Sequence, residues 1–282
     1  MLHKTNYHTH STYCDGDASI KEMVQAAIKA NLSVLGFSTH ALYPFGTNWH
    51  IQPHKIKKYC EEITSLKKTY ADTIELLIGF EVDYLPPISF TQKKYYAEFT
   101  PDFLIGSVHY IYAENHETHA FSIDGSCEEL ENGIKKCFNG NAKKAVQSYF
   151  ASQRDMIACG GFDIMGHIDV IRKLNGKLHF FNENDTWYKK ELKATAKTAA
   201  KSGLIAEINT GGMARAGLKT PYPSPYFLSL LNQYDVPIMI NSDAHTPRDI
   251  AFGFEYAANY AREIGYTEVQ FLSKQKWQSI SL

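Results

Sequence analysis

The sequence predicts an α/β fold built on parallel strands. Three observations predict it. Short apolar runs alternate with longer amphipathic segments, the pattern of strands joined by helical crossovers. Each apolar run stops at a polar residue, most often a histidine or a carboxylate. No linker, charge block or low-complexity stretch divides the 282 residues, a length one core can accommodate, so a single domain over 1–282 is expected.

Residues 4–7 read as the end of a first strand, followed by His8-Thr9-His10. Alternate residues of an extended strand point to one face, so the two imidazoles project together as a chelating pair. Imidazole is also the commonest side-chain metal ligand at neutral pH. Asp15 follows on a turn marked by Gly16. Cys14 beside it reads as a small side chain rather than a ligand. Residues 19–31 carry Ile20, Met23, Val24, Ala27 and Ile28 at helical spacing, with Ser19 as N-cap. A second strand, 33–37, runs out at Ser38-Thr39-His40. A loop with Pro44 and Gly46 leads to a polar helix over about 53–70.

A third strand, 74–80, ends at Glu81, and 89–99 is expected to be helical. The fourth strand, 102–108, ends at His109. Residues 110–127, containing Phe121-Ser122-Ile123-Asp124-Gly125, form an insertion expected to be a hairpin or lid. Helices follow over 127–138 and 142–159, divided by Asn139-Gly140. The fifth strand, 162–166, ends at His167. A helix over 186–201 leads to a sixth strand, 204–208, ending at Asn209. Pro221-Tyr222-Pro223-Ser224-Pro225 opens a helix over 224–234. The seventh strand, 236–240, ends at Asn241-Ser242-Asp243-Ala244-His245. The last helix is expected over 250–264 and one further short strand over 268–272.

With 44% hydrophobic and 21% charged residues the chain reads as an ordinary globular protein. A formal net charge of −1 supplies no broad basic field, and no aromatic-basic stripe is present, so no nucleic-acid partner is expected. The five cysteines show no C-x-x-C spacing, which fits a reducing compartment. The opening Met-Leu-His-Lys-Thr-Asn has no apolar signal core, and no apolar run reaches membrane-spanning length. The expectation is a cytoplasmic protein that makes no membrane contact.

In parallel α/β folds function gathers at the C-terminal ends of the strands. His8, His10, Asp15, His40, Glu81, His109, His167, Asp243 and His245 make nine candidate metal ligands at or beside such ends. Ordinary polarity where strands leave a core does not explain why histidine and carboxylate are chosen over serine or lysine. His3, His50, His54, His116, His119 and His179 do not follow apolar runs; surface or loop roles are expected for them, with His50 the candidate exception. An open catalytic zinc site takes about three protein ligands. Nine ligands therefore imply three divalent ions, or two with richer coordination, and Glu81 can bridge. Mixed imidazole and carboxylate ligation suits Zn first, with Mn or Fe as alternatives. Such ions outweigh the three carboxylates, so the bowl would be net positive and would attract a phosphate.

These residues resemble the PHP family, the polymerase and histidinol phosphatase group. The resemblance rests on His8-Thr-His10 with Asp15-Gly16, Gly36-Phe-Ser-Thr-His40, Gly79-Phe-Glu81, Gly106-Ser-Val-His109, Gly166-His167-Ile-Asp169 and Ser242-Asp243-Ala-His245, in family order over nearly the whole chain. Residues 121–124 and Asn209-Thr-Gly-Gly-Met-Ala-Arg215 look like the stand-alone histidinol-phosphatase branch. One departure is Ser-Thr-His where many members have Thr-Asp-His; the changed residue is not a ligand. The resemblance implies a distorted, TIM-like (β/α)7 barrel with a trinuclear centre. One ion would be held by His8, His10, Glu81 and Asp243, a second by Asp15, His40 and His245, and a third by Glu81, His109 and His167. It also implies hydrolysis of L-histidinol phosphate in histidine biosynthesis.

Hydrolysis of a small-molecule phosphomonoester would use a hydroxide held between metals, since metal binding lowers the pKa of water from about 15.7 to about 7. Asp243, His245 or a metal-bound water would protonate the leaving alkoxide. Arg215, expected in a glycine-flanked loop just beyond the sixth strand end, suits bidentate phosphate binding, Arg172 is a second candidate, and Asn209 sits on the rim by strand position. Two other readings compete: a related phosphoesterase acting on nucleotides or phosphotyrosine, and a non-catalytic metal-binding module.

Overall fold

The chain's computed structural model describes residues 4–43, 47–112 and 120–282; His3, Pro44, Gly46, His116 and His119 lie outside them. Seven strands form one sheet in chain order: Thr5–Asn6, Val34–His40, Glu75–Asp83, Phe103–Ser107, Ile164–Met165, Ile205–Asn209 and Ile238–Asn241. Every neighbouring pair is parallel. The sheet curls until its edges meet. His10 N–H donates to the Ala244 carbonyl at 2.9 Å and Ala244 N–H donates to the His8 carbonyl at 3.2 Å. The result is the expected distorted (β/α)7 barrel. Its distortion lies in unequal pairing: the second and third strands are in register from Val34–Glu75 through His40–Glu81, whereas the first strand pairs only at Thr5 and Asn6.

The helices pack outside. The first, Ile20–Lys29, is started by a capping box in which Ser19 and Glu22 satisfy each other's backbone N–H. Its buried residues Ile20, Met23, Val24 and Ala27 face the strands at helical spacing. Cys127–Phe138 and Ala142–Cys159 are helices with the bounds expected. Among the described residues no helix is long and apolar enough to cross a membrane.

A separate apolar cluster fills the barrel's lower interior, with Tyr7, Val34, Leu77, Phe103, Ile105 and Ile164 among its members. Gly36 and Gly79 make room for it. A Cβ at either would fall within 2.6 and 2.4 Å of the Phe103 ring. Below them a hairpin closes the floor: Glu268–Ser273 pairs antiparallel with Lys276–Ser281. The Tyr7 hydroxyl donates to the Leu272 carbonyl at 2.8 Å and accepts from Leu272 N–H at 2.9 Å. The expected strand at 268–272 is therefore real, but its partner was not foreseen. Residues 276–281 are mostly exposed and show no apolar alternation; pairing and the Trp277 contact with Tyr7 fix them.

Three other segments differ from expectation. Residues 89–99 are not a helix but two short 3-10 turns, Lys93–Tyr95 and Ala97–Phe99. A local bridge between Leu85 and Ser89 and one tertiary bond interrupt the helix: Lys93 N–H donates to the Gly161 carbonyl at 2.7 Å. The last helix begins at Phe254, not 250. The Ile250 carbonyl is committed to Asn6 and Ser242, and Gly253 turns the chain at φ +70°. Arg215 lies not in a loop but on a short helix, Gly211–Ala216. The 110–127 insertion contains a small hairpin, Tyr110–Ile111 with Phe121–Ser122.

Candidate metal centre

The strand ends converge as their alternation dictates. His8, His10, Asp15, His40, Glu81, His109, His167, Asp243 and His245 all fall into overlapping groups whose donor atoms lie within 4.8 Å of one another. One group is His10, Asp15, His40 and His245; the others are His8, His10, Asp243; His8, Glu81, His167; and His40, Glu81, His109. Glu81 is at the middle. Its Oε2 stands 3.0 Å from His8 Nε2 and 3.2 Å from His40 Nδ1, and its Oε1 stands 2.9 Å from His167 Nε2 and 3.4 Å from His109 Nε2. All nine come from strand ends or the turns after them, so the barrel and not any local motif assembles the site.

The donors fit a cation better than they fit each other. His8 Nε2, His10 Nε2, His40 Nδ1 and Glu81 Oε2 are buried and make no hydrogen bond despite these short approaches. Buried polar atoms are almost always satisfied. Atoms left unsatisfied and aimed at one point are what a set of metal ligands looks like with no ion between them. Imidazole nitrogens and carboxylate oxygens in this mixture suit borderline divalent ions such as zinc.

Electrostatics runs the same way. Burial and the neighbouring His245 and His40 push the His10 pKa down to about 3. Burial is also the main cause for His40, held at about 4 against the pull of Glu81 and Asp15. Both rings are neutral and ready to bind. Burial opposes ionisation of Glu81 and Asp243, yet the surrounding imidazoles, and Arg215 beside Asp243, hold both carboxyls well below the usual range. Asp243 sits at φ +52°, a left-handed backbone uncommon outside glycine. Gly211 gives it space: a Cβ there would lie 2.9 Å from Asp243 Oδ2.

Two carboxylates behind the ligands escaped the sequence reading. Glu207, fully buried in the sixth strand, meets His8 Nδ1 at 3.0 Å and accepts from His167 N–H at 2.6 Å and Asn241 Nδ2 at 2.9 Å. Asp83, two residues beyond Glu81, meets His109 Nδ1 and His50 Nε2, each at 2.6 Å. Both fix the ring nitrogen that faces away from the centre, and so aim the other inward. A charged residue inside an apolar run, Ile205-Ala206-Glu207-Ile208, was the available signal for Glu207. His50 is indeed buried.

Above the centre opens a cavity of about 450 Å³. Arg215 lines it, with Nη2 on Asp243 Oδ2 at 2.8 Å and Nη1 donating to the Asp243 carbonyl. Trp49, Tyr110, Asp124, Glu129 and Lys173 form the outer wall. The other two expected substrate contacts are placed elsewhere. Arg172 is buried outside the lining, held by Glu183 at 2.9 Å, by Asp169 at 3.6 Å and by Thr220 and Pro221. Asn209 donates to Glu207 at 2.8 Å and accepts from Gly211 N–H at 2.8 Å, bracing the strand end beneath the cavity.

The chain is similar to proteins of known name and structure. A Schizosaccharomyces pombe protein named "Probable histidinol-phosphatase" is 28% identical over 95% of this chain and 89% of its own. A solved Listeria monocytogenes chain superposes with TM-score 0.76 at 23% identity, covering 90% of this chain and 99% of that one. Lactococcus lactis histidinol phosphate phosphatase, solved with zinc, L-histidinol and phosphate, gives TM-score 0.68 at 18% identity over 99% of this chain and 100% of that one. The PHP domain model matches residues 6–211, which contain seven of the nine converging donors and span the first six strands of the barrel. With that match over most of its length, the chain belongs to the PHP domain family.

Proposed function

We propose that the chain is a metal-dependent phosphomonoesterase whose substrate is L-histidinol phosphate, hydrolysed to L-histidinol and phosphate. The observation that carries the reading is the set of buried, unpartnered donor atoms on His8, His10, His40 and Glu81 at the base of an open cavity. The names of the S. pombe and L. lactis proteins support the substrate. The residues that would hold ions are His8, His10, Glu81 and Asp243 for one, Asp15, His40 and His245 for a second, and Glu81, His109 and His167 for a third. Such ions, zinc foremost, supply a nucleophile at neutral pH and offset charge on the phosphoryl oxygens.

The chain's own groups do the rest. Asp243 stays anionic at the centre of the site, held so against burial by Arg215 and His8. Arg215 has N–H groups left for a phosphoryl oxygen while its fork grips Asp243. His245, at the cavity wall and 16% exposed, would face the leaving oxygen. The outer wall suits an imidazole and an ammonium group. Trp49 and Tyr110 lie nearly parallel, 5.7 Å apart at 12°, offering flat apolar faces. Glu129 and Asp124 supply negative charge; burial opposes it on Asp124, but Lys173 and His109 hold that carboxyl down at about 2.

The test is metal analysis of the purified protein together with phosphate release from L-histidinol phosphate, an aryl phosphate and a phosphodiester. Bound divalent metal and clear preference for L-histidinol phosphate are expected. Equal rates on the two monoesters remove the specific substrate, and no metal under metal-replete conditions removes the reading.

A further inference from the structure

Asp83 is a buried carboxylate that the proposed reaction does not use. It stands on the third strand two residues beyond Glu81, so both side chains point into the barrel mouth. Glu81 turns its oxygens toward the converging histidines, with the Ser107 hydroxyl donating to Oε1 at 2.7 Å. Asp83 spends its own on two imidazoles of different kinds. Oδ1 meets Nδ1 of His109, whose Nε2 faces Glu81 and His167. Oδ2 meets Nε2 of His50, whose Nδ1 contacts the Thr47 hydroxyl at 2.6 Å. With both nitrogens engaged, His50 is not placed to bind an ion. It is instead the anchor of a loop.

That loop carries a wall of the cavity. Trp49, adjacent to the anchor, stands edge-on to His40 at 4.6 Å and to His109 at 5.6 Å between ring centroids. The His50 ring is itself held flat against Tyr43, 4.6 Å apart at 7°. A continuous series of contacts therefore runs from Thr47 through His50, Asp83 and His109 to the centre. A rigid carboxylate with two short contacts fixes both rings at once: turning either imidazole breaks its bond to Asp83 and leaves a buried charge underbonded.

We propose that Asp83 is a positioning residue that couples the 47–50 loop to the ligand His109, so that filling the His109 position and seating Trp49 against the cavity occur together. The proposal rests on the metal-centre reading above. Its consequence is that zinc at the His109 position and the Trp49 wall stabilise each other.

The experiment is a zinc titration of the full chain against a competing chromophoric chelator, with tryptophan fluorescence followed in the same samples. Trp49→Phe identifies the part of the signal due to Trp49 among the chain's 3 tryptophans. In the wild type, Trp49 fluorescence is expected to move with the zinc that fills the His109 position. Asp83→Asn should weaken that zinc by about 10–100-fold, the usual effect of removing a group that orients a ligand, and abolish the Trp49 response. His50→Gln should abolish the Trp49 response while weakening zinc less than Asp83→Asn does. A merely structural Asp83 would lower thermal stability but leave zinc affinity and the Trp49 response linked. Wild-type zinc affinity in Asp83→Asn, or an intact Trp49 response in His50→Gln, overturns the proposal. If Asp83→Asn does not fold, the His50→Gln response alone decides. A wild type that binds no zinc defeats the metal-centre reading itself, an outcome distinct from a loaded protein whose Asp83 variant behaves normally.

Discussion

Glu207 and His8 meet at 3.0 Å inside the barrel, carboxylate to Nδ1, although 199 residues separate them in the chain. The contact leaves His8 Nε2 facing Glu81 and Asp243. Burial opposes charge on both partners, yet each holds the other ionised: Glu207 lies below the usual carboxylate range and His8 above the usual histidine one. Replacing Glu207 by glutamine should keep the shape but remove the charge and free the ring to turn. Zinc affinity is expected to fall by about 10–100-fold. Chelator competition measures it, and an unchanged affinity would show that His8 needs no such partner.

Asp243→Asn should reduce kcat by at least about a hundredfold, a loss of the size seen when a group acting on developing charge is removed. Circular dichroism of the variant should stay that of the wild type, because asparagine tolerates the left-handed backbone at this position. Loss of turnover accompanied by unfolding would mean the residue is structural instead.

Arg215 grips Asp243 at both its carboxylate and its carbonyl. Arg215→Ala should therefore lower kcat as well as raise KM, by about tenfold or more in kcat/KM. Arg215→Lys should recover little, since an ammonium lacks the fork. Steady-state kinetics separates the cases. A change in KM alone would assign Arg215 to substrate and leave Asp243 independent of it.

The histidines predict how metal loading depends on pH. His10 at about 3 and His40 at about 4 are already neutral in the empty site. His109 is not: burial opposes its charge, but Asp83 and then Glu81 outweigh it and raise the pKa to about 10. At neutral pH the metal-free His109 holds a proton that an ion must displace. Affinity at that position should thus rise with pH up to about 10, with measurable proton release on loading. Calorimetry in buffers of different ionisation enthalpy reads the released proton directly. The sign for stability is opposite. A raised histidine value stabilises the metal-free fold fully below about pH 6.5 and loses that contribution as pH rises through about 10.

Leu272 projects from the C-terminal hairpin into the barrel floor and is 3% exposed. Leu272→Ala should cost about 2–5 kcal/mol of stability, read by denaturant unfolding of the metal-free chain. Metal content and kcat of the folded fraction should not change, because floor and centre lie at opposite ends of the barrel. A variant of unchanged stability would mean that the floor collapses to fill the space.

Much of this was legible in the sequence because two local rules suffice for it. Apolar runs marked the strands, and alternation placed His8 with His10 on one face. The strand-end histidines and carboxylates could therefore be named, and they do converge. What was hidden depends on three-dimensional neighbours. Glu207 and Asp83 matter through rings that come from other strands. Arg172 was a second candidate for phosphate, with a loop-capping role as its alternative, and its ion pairs with Glu183 and Asp169 depend on folded neighbours. Residues 89–99 had helical composition, but Lys93 N–H goes to the distant Gly161 carbonyl and Tyr95, Tyr96 and Phe99 close only three-residue turns. The strand at 276–281 has no pattern of its own and exists because of what it pairs with.

The seam between the first and last strands has a kinetic meaning. His8 and His10 are made well over 200 residues before Ala244, and they are locked in place by backbone bonds to it. Closing so long a loop is a late and slow event in folding, because its entropy must be lost before the contacts repay it. During synthesis the N-terminal histidines emerge long before Asp243 and His245 exist. Until the seventh strand docks, the nascent chain offers only a partial and weak chelate. Tight metal capture then reports that the barrel has closed, and the ion acts as a latch on the finished topology rather than a seed for it.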